Sequence, residues 1–193
     1  MTRAYVGIGS NIDPDENVKK AFRLLSRAVL VTNLSTVYRT DPIERPDQSS
    51  YYNCVVELET DQGPEQLKYG VLRIIEEKLG RVRSEDRNAA RTIDLDLLLY
   101  DDLVLSKDGL TVPDPDILER PFLLIALAEI APDLRVPGTV LPVRELARSA
   151  PRTGMEPLVA YTEEVRKESA RGNEHGKGGS PGQGTAEGDR RRP

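Results

Sequence analysis

The chain contains few of the residues on which several common kinds of site depend. Among its 193 residues there are one histidine, His175, one cysteine, Cys54, and no tryptophan. His175 lies in a glycine-rich C-terminal stretch, so we exclude a Ser-His-Asp or Cys-His nucleophile and a histidine-ligated zinc ion from the folded part. A single cysteine cannot form an intramolecular disulfide, which fits a reducing cytoplasm. We interpret Cys54 as a small buried residue of a strand.

Charge and hydropathy argue against two further classes of protein. The chain has 27 Lys and Arg against 32 Asp and Glu, and this acidic balance disfavours general nucleic-acid binding. No apolar run is long enough to span a membrane. Residues 166–193 lack aromatic residues and any aliphatic larger than alanine. We therefore predict one domain over residues 1–165 and a disordered tail over 166–193.

The most informative stretch is residues 91–100, which the pattern predicts to be a β-strand. Side chains alternate along a strand, so Asp94 and Asp96 share one face, roughly 7 Å apart at the backbone. Neighbouring carboxylates repel each other and lose hydration, and a divalent cation, Mg²⁺ by its preference for oxygen, would remove both penalties. The alternative is a solvated strand with two ordinary surface acids. Four apolar residues are predicted to face the core on the other side: Ile93, Leu95, Leu97 and Leu99.

Arginines are concentrated just before this strand, at positions 81, 83, 87 and 91. Guanidinium groups match phosphate oxygens and keep their charge. Beside a metal-binding acid pair they suit phosphoryl transfer, because the metal neutralises the phosphates and the arginines stabilise the developing charge. The alternatives are a solvated charged loop and a nucleic-acid patch. The adjacent acid pair favours phosphate binding.

The order of predicted elements is β-α-β-β-α-β, typical of an α+β ferredoxin-like sheet. We expect two helices on one face and the other face free for a ligand. Asp13 is predicted to cap the first helix in a capping box with Glu16, and Gly80 to end the second. The predicted strands are 3–9, 29–38, 51–60 and 91–100, followed by a hairpin of 103–105 with 110–112. We then expect a helical segment 117–130 interrupted near Pro121, a helix 143–148 and a strand-like 158–161.

A series of motifs matches those of one enzyme family in order and approximate spacing. The run 87–98 fits a signature of a basic residue, any residue, two small residues, Arg, two spacers, Asp, an apolar residue, Asp and two apolar residues. Over about residues 4–142 the chain thus resembles the 6-hydroxymethyl-7,8-dihydropterin pyrophosphokinases. The further matches are Gly7-Ile8-Gly9-Ser10-Asn11, Tyr38-Arg39-Thr40, Tyr51-Tyr52-Asn53, Gly80-Arg81-Val82-Arg83, Leu110-Thr111-Val112-Pro113 and Arg120-Pro121-Phe122-Leu123-Leu124.

The resemblance implies a ferredoxin-like enzyme that transfers pyrophosphate from ATP to the hydroxymethyl group of a reduced pterin in folate synthesis, releasing AMP. Asp94 and Asp96 then resemble the ligands of two Mg²⁺ ions. The catalytic arginines implied are Arg81, Arg83 and Arg91, which would close over the triphosphate. The ATP-binding positions implied are Glu76, Arg87, Leu97, Thr111, Asp114 and Arg120. The pterin-binding positions implied are Thr40, Asp41, Ile43, Tyr51, Asn53 and Phe122, with Tyr51 and Phe122 stacking on the ring.

The chain departs from the family pattern at three places. Asp114 stands where the family usually has histidine, Asn88-Ala89-Ala90 replaces Trp-Gly-Pro, and Ser84 replaces a basic residue. An acid at position 114 repels a phosphate oxygen. We therefore expect weaker ATP binding or slower closure of the arginine loop.

Two other functions stay open at this point. One is a descendant of the same family that binds pterin and nucleotide but has lost turnover. The other is an RNA-binding ferredoxin-like module, which would need aromatic residues on the open face of the sheet within a basic surface. We expect ATP and a reduced pterin as partners, neither nucleic acid nor membrane, and a monomer in the cytoplasm.

Overall fold

The computed structural model describes residues 1–42, 45–83, 86 and 89–174, with side chains through residue 168. Its strands are β1 (Thr2–Ser10), β2 (Leu30–Leu34), β3 (Tyr38–Thr40), β4 (Tyr51–Thr60), β5 (Asp94–Tyr100), β6 (Leu105–Lys107), β7 (Leu110–Val112) and β8 (Met155–Pro157). Its helices are α1 (Pro14–Ala28), α2 (Gln66–Leu72, with wide π-type turns, continuing as Arg73–Lys78), α3 (Asp116–Glu119), α4 (Pro121–Ile130), α5 (Val143–Arg148) and α6 (Val159–Glu174).

The central sheet has the strand order expected of a split β-α-β arrangement. Its order is β5-β1-β4-β3-β8, β2 also pairs with β4, and all pairings are antiparallel. The ferredoxin-like fold is therefore confirmed. The single strand predicted over 29–38 is two strands, β2 and β3, which pair with successive parts of β4. β6 and β7 form the expected hairpin, whose first strand begins two residues later than predicted.

One face of the sheet packs on helices α1, α2 and α6. Phe22 and Leu25 of α1, Leu72 of α2 and Val165 of α6 are buried against strand residues of this core. The side chains of Ile93, Leu95 and Leu97 point into it, as the alternation predicted. Burying so much aliphatic surface is the main driving force for closing these helices onto the sheet.

The other face of the sheet is partly covered, which corrects the expectation that it is free for a ligand. Leucines of α4 pack there on Tyr5, Val55 and Leu98. A bulge explains why Leu99 also lies on this face and not on the predicted one. Val6 pairs with Leu97 and Tyr5 with Leu99, so Leu98 is the extra residue and the alternation shifts after it.

Several local predictions need correction. Asp13 does precede α1, but its backbone is left-handed (φ 43°) and, in the described part of the chain, its carboxylate makes no capping hydrogen bond. Residues 159–161, predicted as strand, begin α6. Residues 166–174, assigned to the tail, are helical, and Glu168 is buried beside Arg23 of α1. The rest of the tail lies outside the described residues, so the two-part division stays a prediction.

Two predictions at chain turns agree with the structure. Gly80 follows α2 with a φ of 75°, the left-handed conformation that glycine adopts at low cost. The helical region after the hairpin is interrupted at Arg120, where α3 ends and Pro121 begins α4. Within the described ranges, no helix combines the length and apolar composition needed to cross a membrane.

Candidate active site

The uncovered end of the second sheet face forms the floor of a cleft of about 520 Å³. Three neighbouring strands supply this floor, since Asp94 of β5 pairs with Gly9 of β1, which pairs with Asn53 of β4. The loop after β3, the segment after α2 and the start of α4 supply the walls. Twelve of the residues predicted from the sequence line the cleft: Thr40, Asp41, Tyr51, Asn53, Arg81, Arg83, Arg91, Asp94, Asp96, Asp114, Arg120 and Phe122.

The acid pair faces the cleft, and cationic side chains contact both of its members. Asp94 Oδ1 lies 3.2 Å from Arg81 Nη1, and Asp94 Oδ2 accepts a hydrogen bond from Arg91 Nη1. Asp96 Oδ1 accepts one from Lys68 Nζ at 3.1 Å. Desolvation raises the pKa of Asp96, and the neighbouring Asp94 carboxylate raises it further. The site therefore concentrates negative charge that opposite charges must offset.

Glu76 lies behind the acid pair and does not line the cleft. Its side chain is 2% exposed. Oε1 accepts the Leu95 N–H at 2.9 Å, and Oε2 accepts Arg83 Nη2 at 2.6 Å. Burial raises the pKa of this carboxyl, while the bond from Leu95 opposes that rise. Because Leu95 stands between the two aspartates, Glu76 fixes the strand that carries them and joins it to an arginine of the cleft wall.

Hydrogen bonds from Asn11 join the arginine segment to the rest of the site. The Asn11 and Ile12 N–H groups donate to the Arg91 carbonyl, each at 3.2 Å. The Arg91 N–H donates to Asn11 Oδ1 at 2.8 Å, and Asn11 Nδ2 donates to Gln48 Oε1 at 3.0 Å. Asn11 is 5% exposed, so it is a buried link between three loops. Asn11 ends the motif Gly7-Ile8-Gly9-Ser10-Asn11, but the motif does not predict that Asn11 links Arg91 to Gln48.

A buried polar pair and two aromatic residues also line the cleft. Asn53 Nδ2 donates to Thr40 Oγ1 at 2.8 Å, and both side chains are buried. Tyr51 and Phe122 are the aromatic residues. A Cβ on Gly9 would stand 2.8 Å from Asn53 Oδ1, so a larger residue there would have to displace the Asn53 amide. Together these groups suit a flat ligand with hydrogen-bonding groups on its edge.

Asp114 adds a third carboxylate at the margin of the cleft. Its Oδ1 accepts the Asp116 N–H at 2.9 Å, and its own N–H donates to the Leu98 carbonyl at 2.9 Å. Burial raises the pKa of Asp114 to about 6, and the charge of Asp96 contributes to the rise. Asp114 is thus hydrogen-bonded to the sheet, and its negative charge and that of Asp96 repel each other.

The remaining predicted site residues do not come together in the cleft. Leu97 is buried in the helix-covered core, and Thr111 is exposed on β7, where its hydroxyl lies 3.4 Å from that of Ser106. Ile43 and Arg87 lie outside the described residues, as do Ser84 and Asn88.

Several residues of the site were not predicted from the sequence. Lys68 contacts Asp96, and a pair between Arg45 and Asp86 (2.5 Å) stands in the cleft wall. Each is a single polar residue in a helix or loop, and no spacing rule brings it to the site. Gln48 and Asp116 also line the cleft.

The chain is similar to a well-defined set of proteins. A family model described as 7,8-dihydro-6-hydroxymethylpterin-pyrophosphokinase (HPPK) matches residues 5–132. The chain belongs to this family. The family predicted from the sequence motifs is thereby confirmed. The 2-amino-4-hydroxy-6-hydroxymethyldihydropteridine pyrophosphokinase of Pseudomonas aeruginosa is 40% identical over 163 residues, covering 82% of this chain and 98% of that protein. The enzyme of the same name from Bacillus subtilis is 40% identical over 139 residues, covering 70% and 82%.

Some relatives are much longer than this chain. The folic acid synthesis protein FOL1 of Dictyostelium discoideum is 32% identical over 78% of this chain, which spans only 23% of that protein. Among solved structures, a Plasmodium falciparum HPPK-DHPS (A437G, with STZ-DHP) superposes with a TM-score of 0.61 at 14% identity, covering 76% of this chain and 45% of that chain. At such low identity this likeness supports the fold alone.

Proposed function

We propose that the chain transfers pyrophosphate from ATP to the hydroxymethyl group of 6-hydroxymethyl-7,8-dihydropterin in folate synthesis, with release of AMP. The observation that carries this proposal is that one cleft holds both halves of such a reaction. The acid pair and arginines lie at one end of the floor, and the Asn53–Thr40 pair lies at the other, with Gly9 between them. The family membership and the pyrophosphokinase relatives support the same activity.

Asp94 and Asp96 are the residues that would hold Mg²⁺. They fit it by chemistry, since both donors are carboxylate oxygens and Mg²⁺ commonly takes one or two carboxylates with substrate phosphates. No group of three or more His, Cys, Asp or Glu side chains in the described residues is arranged to hold a metal ion. Phosphate oxygens and water would complete the shell of two ions that arrive with ATP. Ions held there would supply positive charge to the phosphates and help to orient the reacting phosphorus.

The arginines would act on the triphosphate once it is bound. Arg81 and Arg91 already contact Asp94, and Arg83 is held by Glu76 at 2.6 Å. Asp94 would hold a metal ion that supplies positive charge, and Arg81 and Arg91 would then bind phosphate oxygens, which guanidinium groups match in geometry. Arg83 would bind them from its position beside Glu76. Their approach would also exclude water, which competes with the pterin hydroxyl as acceptor. Arg120, the residue before α4, also lines the cleft and would contribute a further guanidinium group.

The pterin would occupy the half of the cleft lined by Tyr51 and Phe122. We assign the stacking of its ring to these aromatics and the reading of its edge to Thr40, Asn53 and the backbone after Thr40. A buried amide and hydroxyl left without partners cost binding energy, so an analogue without the matching edge would be rejected. Gly154, the residue before β8, supports this wall, because the Asp41 N–H donates to its carbonyl at 3.1 Å.

The experiment is AMP formation by the purified protein with ATP and Mg²⁺, with and without the pterin. We expect AMP only when the pterin is present. Asp94→Asn and Asp96→Asn should each lower kcat at least a hundredfold, because each removes a metal ligand (~3 kcal/mol or more). Asp102→Asn, in an exposed turn, removes the same charge and should leave the rate unchanged.

The second candidate is the descendant without turnover, which Asp114 favours because a carboxylate at the margin of the cleft opposes phosphate. Pterin binding by fluorescence titration without any AMP would support it. Absence of both signals would contradict the proposed function and its alternative. That the chain acts as a monomer in the cytoplasm stays a prediction.

A further inference from the structure

Lys68 is a cation of the site that the sequence pattern did not single out. It belongs to the wide-turn part of α2, and its Nζ donates to the Leu95 carbonyl at 3.0 Å and to Asp96 Oδ1 at 3.1 Å. Its side chain is 18% exposed, whereas that of Asp96 is 48% exposed. β5 is the edge strand of the sheet, and Lys68 does not line the cleft. Lys68 therefore contacts Asp96 from the edge of the sheet and leaves the cleft side of Asp96 open.

Two contacts to β5 keep this charge in place. One acceptor is the backbone carbonyl of Leu95. If a competing cation displaces the ammonium group from Asp96, this second hydrogen bond still holds the ammonium group near Asp96. Arg81 and Arg91 come instead from the segment between α2 and β5. A divalent ion at Asp96 would thus always lie close to the positive charge of Lys68.

The cation that contacts Asp96 opposes the entry of a free divalent ion. Lys68 is paired with Asp96, whereas Arg81 and Arg91 are paired with Asp94. An isolated Mg²⁺ at Asp96 would be repelled by the ammonium group of Lys68. A metal–nucleotide complex carries net negative charge and would be attracted by that group.

We propose that Lys68 is a specificity residue that makes the acid pair accept a divalent ion as part of a metal–nucleotide complex in preference to the free ion. The inference rests on the proposed function, because it takes the acid pair to be the metal site. Lys68 acts by charge at a fixed position. It discriminates between two forms of the same ion.

The test measures Mn²⁺ binding by electron paramagnetic resonance, with Mn²⁺ alone and with an ATP analogue whose α and β phosphorus atoms are joined by methylene. Lys68→Met should bind free Mn²⁺ roughly tenfold more tightly than wild type and the Mn²⁺–analogue complex several-fold more weakly. Lys68→Arg keeps the charge and should stay near wild type in both. Lys20→Met, a half-exposed lysine of α1, is the matched control.

Opposite changes in the two affinities would establish the inference. If Lys68→Met weakens both forms together, or changes neither, Lys68 is a structural residue and the inference is wrong. The same conclusion follows if Lys68→Met binds no free Mn²⁺. Circular dichroism melts show whether the variant is folded, and Lys68→Gln replaces it if it is not. Failure of the proposed function is recognised separately, as absence of AMP formation by the wild type.

Discussion

Replacing Asp114 by asparagine should change the pH dependence of stability in a way that the structure fixes in sign. Burial raises the pKa of Asp114 from its ordinary 3.8 to about 6. The folded protein thus holds this proton more tightly than the unfolded chain. The contribution of this protonated carboxyl to the free energy of unfolding is fully present below pH 4 and is lost as the pH rises to about 6.

The magnitude follows from the size of the pKa difference. A difference of about two pH units corresponds to about 3 kcal/mol, and partial exposure to the cleft reduces it, so we expect about 1–3 kcal/mol at pH 8. Asparagine carries no charge, and its Oδ1 still accepts the Asp116 N–H. Asp114→Asn should therefore be more stable than wild type at pH 8. The advantage should fall to about half near pH 5 and vanish below pH 4.

The measurement is urea unfolding of nucleotide-free protein, followed by circular dichroism at several pH values between 4 and 8. The control is Asp102→Asn, which removes an equal charge from an exposed turn. An advantage that stays constant between pH 5 and pH 8 would refute the reasoning. So would a variant that is less stable at pH 8, because the carboxylate would then be favourable in the folded state.

Three other substitutions test separate parts of the site. Asp114→His should lower the KM for ATP several-fold at pH 8, because it removes a negative charge facing phosphate; unchanged KM and kcat would contradict this role. Glu76→Gln should cost about 1–3 kcal/mol in urea unfolding and lower kcat, because the amide cannot accept from both Leu95 and Arg83. The control is Glu77→Gln at an exposed position. Equal changes in unfolding free energy and kcat for the two variants would refute the role assigned to Glu76. Gly9→Ala should raise the pterin KM at least tenfold and the ATP KM less, because its Cβ would meet Asn53 Oδ1 at 2.8 Å. The control is Gly7→Ala, whose Cβ would have its nearest contact at 3.5 Å. A larger rise in the ATP KM than in the pterin KM would contradict the assignment.

The sequence by itself determined the family, the order of the main strands and helices up to β5, and the position of the acid pair. These features depend on local periodicity and on short motifs at fixed spacing. Asp94 and Asp96 share a face because a strand alternates, whatever packs around it. β4 and α5 have the predicted bounds because their patterns are strong and bounded by turn residues.

The tertiary structure alone decided which side chains surround the acid pair and how much of the sheet stays open. Lys68 and Glu76 reach β5 because α2 packs across it, and this contact joins residues far apart in the chain. Leu99 changed face because one extra residue in β5 forms a bulge against β1, and pairing partners are not encoded in the alternation of one strand. The coverage by α4 likewise depends on how a distant helix docks, which local propensity does not specify.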